Sequence, residues 1–461
     1  MPDAAENEVD VVVIGLGPGG EHVAASLARA GLEVVGVDRR LVGGECPYFG
    51  CIPSKMMIRA ADALAEARRV PALGGATEVR ASWTTVADRI RDEATDDWDD
   101  RVAVERLEKA GARFVRGHGR LDGPGRVVVT TADGEVAITA RRGVVLNTGT
   151  EPAVPPIPGL AGTPYWTNRD AVRVRELPAS LAVLGGGAIG CELAQAFARF
   201  GVEVSVIEAF DRILGPEEPE ASAVVRAALE AEGITVRTGV GVTAVAHEGA
   251  FSIGLADGTS VGADALLVAA GRRTNLGDVG LDTVGLDPAV RALDVTRRMR
   301  VKGTRGLWAI GDITGKGAFT HMSMYQADLV IRVLTDDGKP RADYRAVSRA
   351  TFTDPEVGSV GMTEQQARDA GLRVGVGLAK LPESSRGWIH KVGNEGLIKV
   401  VADLDRDILV GATAVGPSGG EVIGMLVTAI HARLPLATLR GMHFAYPTFH
   451  RAIETALGDI S

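Results

Sequence analysis

Two cysteines near the beginning of the chain have a spacing that suits redox chemistry. Residues 43–55 read GGECPYFGCIPSK, so four residues separate Cys46 from Cys51. This spacing lets a loop that enters a helix bring both sulfurs together, and Pro53 suits an early helical position. Near that helix start, the helix dipole and Lys55 would stabilise the thiolate of Cys51. We predict a pair that makes and breaks a disulfide, with a buried structural pair as the alternative.

A pattern that occurs twice predicts two dinucleotide sites. Residues 11–38 and 181–208 each contain an apolar strand, a G-x-G-x-x-G turn, a helix with small residues, a second strand and a final carboxylate. The glycines permit a tight turn, close approach of a pyrophosphate, and packing of the helix on the strand. N–H groups at the helix start hold phosphate oxygens, and the carboxylate accepts hydrogen bonds from an adenosine ribose. The predicted contacts are Gly15, Gly17, Gly20 and Asp38 in the first repeat, and Gly185, Gly187, Gly190 and Glu208 in the second.

The carboxylate of Glu208 also bears on the choice of nicotinamide cofactor. It would accept hydrogen bonds from a free 2′-hydroxyl and repel a 2′-phosphate, so we predict NADH in preference to NADPH. Arg212 lies four residues further on and could weaken that preference, which leaves NADPH possible.

Three further apolar runs end at a glycine and supply the remaining predicted cofactor contacts. These glycines are Gly149, Gly271 and Gly311. Asp312 directly follows the last of them, where it is placed to bond a polar cofactor chain. A solvated aspartate at the end of a strand is the alternative interpretation.

Length and composition indicate the fold that must position these residues. The 461 residues suggest about three domains of ordinary size. A hydrophobic content of 46% with 59 glycines and only 4% aromatic residues fits parallel α/β layers. After residue 341, alternating apolar stretches indicate antiparallel strands. We therefore predict an α/β fold with two Rossmann-like dinucleotide-binding domains and a C-terminal α+β domain.

Charge and hydropathy argue against several classes of partner. The formal net charge is −9 and no block of Lys and Arg interrupts it, so we expect no nucleic acid partner. The polar N-terminus lacks the features of an export signal, and no apolar run approaches the ~20 residues of a membrane helix. We expect no membrane and a cytoplasmic location, where reducing conditions favour a cycling cysteine pair. The acidic stretch 92–100 is predicted to be a solvated surface and not a metal site.

Taken together, these motifs resemble the flavoprotein pyridine nucleotide–disulfide oxidoreductases, which include dihydrolipoamide dehydrogenase, glutathione reductase and mercuric reductase. The matching segments are GLGPGG, GGECPYFGCIPSK, GGGAIGCELA, WAIGD and TFTDPEVGSVGMTE. The resemblance covers essentially the whole chain and implies FAD in the first repeat, NAD(P)H in the second, and Asp312 on the ribityl side of the flavin. It also implies an FAD-binding domain of residues 1–150 and 275–340, an NAD(P)H-binding domain of residues 151–274, and a dimerisation domain of residues 341–461.

The same resemblance implies roles for the reactive side chains. Cys51 would lie next to the flavin, and Cys46 would be the outer thiol that meets the substrate. Lys55 and Glu192 match an ion pair beside the flavin, where a cation helps to stabilise the reduced, anionic ring. The implied assembly is a homodimer in which the C-terminal domain of one subunit completes the active site of the other.

One motif departs from the family pattern. Disulfide reductases of this family carry His-Pro-Thr followed by a nearby Glu, whereas this chain has Tyr446 and Arg451 at the two positions. A tyrosine with a pKa near 10 is a poor general base at neutral pH, and arginine cannot orient an imidazole as a carboxylate does. His443, His450 or Glu45 could supply the missing base, although none of them occupies the matching position.

The leading hypothesis is therefore an NADH-dependent flavoenzyme that passes electrons to a small-molecule acceptor such as a quinone, a metal ion or another oxidant. Mercuric reductase also resembles this chain in having tyrosine at the matching position, but no cysteine follows Cys191 here to deliver mercury. A dihydrolipoamide dehydrogenase-like activity is the second hypothesis, and an FAD-binding redox sensor without turnover is the third. The predicted catalytic residues are Cys46, Cys51, Lys55, Glu192 and Tyr446.

Overall fold

The computed structural model describes residues 7–461. The chain forms two compact units. Within the described residues, the first unit contains residues 7–53, 90–152 and 272–343, and the second contains residues 54–89, 153–271 and 344–461. The assignment of three domains with the boundaries given above stays a prediction. None of the described helices is long and apolar enough to cross a membrane.

The strands of the described residues fall into five sheets. In chain order the strands are β1 (Glu8–Ile14), β2 (Val34–Asp38), β3 (Arg113–Arg116), β4 (His118–Leu121), β5 (Arg126–Thr131), β6 (Gly134–Leu146), β7 (Thr150–Pro152), β8 (Ser180–Leu184), β9 (Glu203–Ile207), β10 (Thr235–Arg237), β11 (Val242–His247), β12 (Phe251–Leu255), β13 (Ser260–Ala263), β14 (Ala265–Val268), β15 (Arg272–Thr274), β16 (Leu307–Ala309), β17 (Ser348–Thr351), β18 (Glu356–Gly361), β19 (Val374–Lys380), β20 (Leu397–Asp403) and β21 (Ile408–Gly416).

The described residues form fourteen α-helices. In chain order they are α1 (Pro18–Arg29), α2 (Glu45–Phe49), α3 (Cys51–Arg69), α4 (Trp83–Arg89), α5 (Arg101–Lys109), α6 (Asn168–Ala171), α7 (Ala188–Arg199), α8 (Pro219–Ala231), α9 (Thr320–Leu334), α10 (Glu364–Asp369), α11 (Ser385–His390), α12 (Gly419–Ala432), α13 (Leu436–Arg440) and α14 (Ala452–Gly458).

The main sheet of the first unit is built around the long strand β6. On one edge β6 pairs in parallel with β1, which continues through β2 to β3. On the other edge its first half pairs antiparallel with β5, and its second half pairs in parallel with β16. Val11, Val12 and Val13 of β1 are completely buried although successive strand residues point to opposite faces, so both faces of the sheet are covered there.

The second unit contains one parallel sheet and two antiparallel sheets. Strands β10, β9, β8 and β14 form a parallel sheet, and β11, β12 and β13 form an antiparallel meander. Strands β17, β18, β21, β20 and β19 form a sheet that is antiparallel throughout, as the alternating apolar pattern predicted. An apolar core joins this last sheet to α12 and α14, with Ile398, Leu426 and Leu457 fully buried.

The predicted repeat is present in both units. Strand β1, helix α1 and strand β2 form the first copy, and β8, α7 and β9 form the second. Ile14 pairs with Val37 in the first copy, and Leu184 pairs with Ile207 in the second, which gives both copies the same register. The predicted fold class is therefore confirmed.

Candidate active site

Both predicted dinucleotide turns are closed by equivalent hydrogen bonds. In the first copy, the Leu16 N–H donates to the Asp38 carboxylate at 2.7 Å, and the N–H two residues after the aspartate donates to its other oxygen at 2.7 Å. In the second copy, the Gly186 N–H donates to Glu208 at 2.7 Å, and the N–H two residues after the glutamate donates at 2.9 Å. Burial raises the pKa of the Asp38 carboxyl. Each carboxylate thus ties its glycine turn to the end of the second strand.

The first and third glycines of each turn leave no room for a side chain. A Cβ at Gly15 would lie 2.3 Å from the Asn147 carbonyl oxygen, and one at Gly20 would lie 2.0 Å from the Gly15 carbonyl oxygen. The corresponding distances in the second copy are 2.4 Å, to the Ala269 carbonyl oxygen, and 2.0 Å, to that of Gly185. The middle glycine of each turn is an N-cap without a side-chain hydrogen bond. The first N–H groups of each helix therefore lack an intrahelical partner and fit a phosphate group.

Asn147, which directly follows β6, connects the first turn to helix α9. Its side-chain amide donates to the Gly15 carbonyl at 3.4 Å, and its amide oxygen accepts from the Ser323 hydroxyl of α9 at 3.2 Å. In the same unit, the N–H of Gly311 donates to the buried Gln326 side chain at 2.7 Å. No spacing in the sequence pointed to these three polar side chains. The only available signal was that an asparagine directly follows a buried strand.

Asp312 lies in a polar network of the first unit. The Thr150 hydroxyl donates to the Asp312 carboxylate at 2.6 Å, and the Arg272 guanidinium donates to the same hydroxyl at 2.8 Å. Thr150 and Arg272 begin the paired strands β7 and β15, and the predicted glycines Gly149 and Gly271 directly precede these strands. This network argues against the interpretation of Asp312 as a solvated strand end. Contact between these residues and a cofactor stays a prediction.

The same network holds Glu45, which directly precedes the first cysteine of the pair. A guanidinium nitrogen of Arg272 lies 3.3 Å from a carboxylate oxygen of Glu45, and both side chains are largely buried. The ion pair supports a structural role for Glu45. A role as a replacement proton carrier stays a hypothesis.

Cys46 and Cys51 lie within hydrogen-bonding reach of each other, as their spacing predicted. Cys46 lies in the short helix α2 and not in a loop, and Cys51 begins α3. Neither forms a disulfide bond in this structure. The hydrogen bond with Cys51, followed by burial, raises the pKa of the Cys46 thiol, and a hydrogen bond with Thr320 opposes that rise. The Thr320 hydroxyl also lies 3.5 Å from the Cys51 sulfur, a contact across 269 sequence positions that no motif indicated.

Lys55 and Glu192 form the predicted ion pair within the second unit. The Lys55 ammonium lies 2.7 Å from a carboxylate oxygen of the buried Glu192. The Phe352 N–H donates to the other oxygen at 2.8 Å, and the Lys55 ammonium lies 4.7 Å from the centre of the Phe352 ring. Phe352 therefore contacts both members of the ion pair, a contact that no spacing in the sequence predicts. The position of this pair beside a flavin stays a prediction.

The two residues that replace the family's proton-transfer pair contact each other. The Arg451 guanidinium carbon lies 5.5 Å from the centre of the Tyr446 ring, and Arg451 also forms an ion pair with Glu454 at 2.9 Å. Tyr446 is 68% exposed, and the bond between Tyr446 and Pro447 is cis. A guanidinium has no lone pair to accept a proton, and a phenol is a weak base, so this pair cannot act as a general base at neutral pH.

The nearby histidines do not form a replacement pair within the second unit. The His450 ring lies 5.9 Å from the Phe444 ring, and His443 is exposed. Among the described residues, neither His443 nor His450 has a carboxylate within ion-pair distance. Likewise, no group of three or more His, Cys, Asp or Glu side chains in residues 7–461 is arranged to hold a metal ion.

Comparison with known proteins places this arrangement in one family. The family model described as pyridine nucleotide-disulphide oxidoreductase matches residues 9–327, and the model of the dimerisation domain of that family matches residues 347–457. A dihydrolipoyl dehydrogenase of Chlorobaculum tepidum is 31% identical over 99% of this chain and 98% of its own length. A mercuric reductase of Acidithiobacillus ferrooxidans is also 31% identical, over 97% of this chain and 82% of its own length.

A solved structure shows the same similarity at the level of the fold. A mutant of the HOCl-induced flavoprotein disulfide reductase RclA from Escherichia coli, solved as a Cu(II) complex, has a TM-score of 0.85 and 25% identity, and the match covers 98% of this chain and 99% of the other. The family matches extend over nearly all of the described chain, including both repeats and the cysteine pair. The chain therefore belongs to the pyridine nucleotide-disulphide oxidoreductase family and is an enzyme of that class.

Proposed function

We propose that this enzyme transfers electrons from NADH through FAD and the Cys46–Cys51 pair to a small acceptor that needs no base-assisted thiol exchange. The observation that carries this proposal is the contact between Tyr446 and Arg451 at the two positions of the family's proton-transfer pair. Because neither side chain can take up a proton at neutral pH, the enzyme would be poorly suited to a dithiol substrate that must be deprotonated.

The first unit contains a set of groups that fits FAD. The uncapped start of α1 suits the pyrophosphate, Asp38 suits the adenosine ribose, and the Asp312 network suits the ribityl chain. The second copy of the turn, with Glu208, suits NADH. When bound, FAD supplies two-electron transfer between a nicotinamide and a disulfide. Family members depend on FAD and NAD(P)H, which supports both assignments.

The chain's own residues would then handle the thiols. One NADH and one proton convert the Cys46–Cys51 disulfide to a dithiol. As the disulfide reforms, the dithiol gives two electrons to the acceptor and releases two protons, which a quinone takes up and which pass to solvent when the acceptor is a metal ion. The raised pKa of Cys46 favours its neutral thiol. Thiol–disulfide exchange needs a thiolate, so this environment also disfavours disulfide substrates. The Thr320 hydroxyl, which contacts both sulfurs, would orient the pair.

The acceptor could be a quinone, a metal ion or another oxidant. The RclA mutant solved as a Cu(II) complex and the mercuric reductase relative support a metal ion as one acceptor class. The dimerisation-domain match supports a homodimer, in which we infer that the loop with Tyr446 faces the cysteine pair of the partner subunit. The cytoplasmic location expected from the sequence stays a prediction.

A dihydrolipoamide dehydrogenase-like activity is the second candidate. It is favoured by the relatives of that name, which match nearly the whole chain at about the same identity as the mercuric reductase. The retained cysteine pair and ion pair would serve either activity. The two candidates are separated by the chemistry at Tyr446 and Arg451 and by the raised pKa of Cys46.

The decisive experiment compares acceptors with one preparation of the FAD-loaded enzyme. Anaerobic rapid mixing with NADH should bleach the flavin absorbance, and failure to do so would favour a redox sensor without turnover. Steady-state assays with menadione, Cu(II) and lipoamide should then give the highest kcat/KM with menadione or Cu(II). An authentic dihydrolipoamide dehydrogenase in the same assay is the control. Lipoamide turnover at its rate would overturn the proposal.

A further inference from the structure

A positively charged surface surrounds the loop of Tyr446 within the second unit. Helix α11 contacts this loop through Phe449: the Arg386 guanidinium carbon lies 5.3 Å from the centre of the Phe449 ring, and the His390 ring packs edge-on against it at 5.3 Å. Arg451, two residues after Phe449, lies against Tyr446. We call the surface formed by Arg386, His390, Tyr446 and Arg451 the cationic face.

The charges of the cationic face are mostly unbalanced. Among the described residues, no carboxylate lies within ion-pair distance of Arg386. Lys391, which directly follows His390 in the chain, donates to the Ala72 carbonyl oxygen at 3.2 Å and has no carboxylate of the described residues within ion-pair distance. Of the two arginines of the face, Arg451 has a carboxylate partner in the part of the chain that the structure describes, Glu454. A local excess of positive charge on a chain with a formal charge of −9 is a feature that attracts anions.

The same surface exposes apolar groups that could contact a flat ring. Trp388, on α11, is 78% exposed, and the neighbouring Ile389 is also exposed. Both guanidinium groups of the face lie over aromatic rings, which limits their motion. Arg386 is partly exposed, and the side chain of Arg451 is 41% exposed. Guanidinium groups bind carboxylate, sulfonate and phosphate oxygens with well-defined geometry.

We propose that the cationic face binds the anionic group of the electron acceptor, so that the preferred acceptors are small ring oxidants that carry a negative charge. The inference rests on the proposed function, which places the loop of Tyr446 at the acceptor side of the partner subunit's cysteine pair. The face binds and orients the acceptor, while the two thiols of that pair are oxidised to the disulfide and the acceptor gains two electrons and two protons.

A binding measurement tests the inference without any turnover. Calorimetric titration of the FAD-loaded enzyme with naphthalene-2-sulfonate should show tighter binding than titration with the uncharged 2-naphthalenemethanol. Arg386→Gln should reduce that preference about two- to fivefold, the size expected for one exposed charge pair. Equal affinities of the native enzyme for the two compounds would overturn the inference.

A matched variant controls for the loss of one positive charge. Arg373 directly precedes β19 and pairs with Asp405, whereas α11 lies beyond the other end of that strand. Seven extended residues span roughly 23 Å, so Arg373 is well separated from the cationic face along the strand. Arg373→Gln should leave the preference for the sulfonate unchanged. An equal loss of the preference for the sulfonate in Arg386→Gln and Arg373→Gln would show that net charge alone is responsible. That result would contradict specific binding at the cationic face.

Turnover gives the second measurement. The ratio of kcat/KM for 1,4-naphthoquinone-2-sulfonate to that for 1,4-naphthoquinone should fall about two- to fivefold in Arg386→Gln, and should fall in the native enzyme as salt screens the charges. If the native enzyme and Arg386→Gln give the same ratio, the inference is overturned while the proposed function stays intact. If NADH reduces neither quinone, nor any other acceptor, the proposed function fails and the binding measurement decides the inference.

Discussion

The two dinucleotide turns and the loop of Tyr446 differ in how much of the family pattern they keep. Both turns retain every glycine and the closing carboxylate, and their hydrogen bonds are equivalent. The loop has lost both side chains of the proton-transfer pair and has gained an aromatic–guanidinium contact. A turn that uses backbone N–H groups tolerates little change because a Cβ would strike the neighbouring carbonyl. A site made of exposed side chains can change its chemistry while the buried core beneath it stays the same.

The largest expected effect concerns the cysteine pair, which the proposed function places between the dinucleotide sites and the acceptor. Cys51→Ser should reduce acceptor turnover more than about 1000-fold, because it removes one half of the dithiol, while NADH still bleaches the flavin. Cys191→Ser is the matched control, since Cys191 is buried and donates only to the Gly186 carbonyl. Stopped-flow measurement of both half-reactions provides the test. Acceptor turnover that survives in Cys51→Ser would show that electrons leave without the pair.

The second prediction restores the family pattern in the loop. The double variant Tyr446→His, Arg451→Glu should raise kcat/KM for lipoamide by about 100-fold or more, the usual contribution of a positioned general base. Each single variant should give a much smaller gain, because a histidine beside Arg451 is not oriented and a glutamate beside Tyr446 has no imidazole to orient. Steady-state lipoamide assays on the three variants make the comparison. No gain in the double variant would mean that other residues also exclude this substrate.

The third prediction concerns the second turn and separates the steric requirement at Gly190 from the effect of Gly187 on NADH binding. A Cβ at Gly190 would lie 2.0 Å from the Gly185 carbonyl oxygen, whereas a Cβ at Gly187 meets nothing within 4 Å. Gly190→Ala should therefore lower the free energy of unfolding by about 1–3 kcal/mol, the usual cost of overpacking. Gly187→Ala should leave stability nearly unchanged but weaken NADH binding, because its Cβ would approach the pyrophosphate. Denaturant titration and NADH titration of both variants check the two effects.

The fourth prediction concerns the Glu208 carboxylate, which ends the second dinucleotide repeat. Glu208→Gln should lower the ratio of kcat/KM for NADH to that for NADPH by about tenfold, or ~1.4 kcal/mol, since the charge that repels a 2′-phosphate is removed. Glu203→Gln is the control, because Glu203 is exposed at the beginning of the same strand β9. A native enzyme that already prefers NADPH would contradict the assignment and would indicate that Arg212 dominates.

The smallest expected effect is that of Tyr446→Phe. Removal of the hydroxyl should change acceptor reduction by less than about threefold, because the phenol donates at most one exposed hydrogen bond and takes up no proton. Flavin reduction by NADH should be unaffected. Rapid mixing of each half-reaction checks this, and a large loss confined to the NADH step would show that the loop does not face the acceptor.

The cysteine pair and the turns could be predicted because their chemistry depends on short, fixed spacings. Four residues between Cys46 and Cys51 are enough to bring the sulfurs together, and each turn needs its glycines at set intervals before a helix. The loss of the general base could also be predicted from the sequence, since it depends only on the residue types at positions 446 and 451. Lys55 and Glu192 are far apart in sequence, and only the family resemblance paired them.

The sequence by itself determined the fold class, the two repeats, the position of the cysteine pair and the loss of the proton-transfer residues. Only the tertiary structure decided which polar groups surround them: Thr320 at both sulfurs, Phe352 against the ion pair, and Asn147 behind the first turn. It also brought Arg386 against Phe449 and so created the cationic face. Periodicity and spacing describe contacts within one segment. Contacts between distant segments depend on how helices and sheets pack, and many different residue types satisfy that packing equally well.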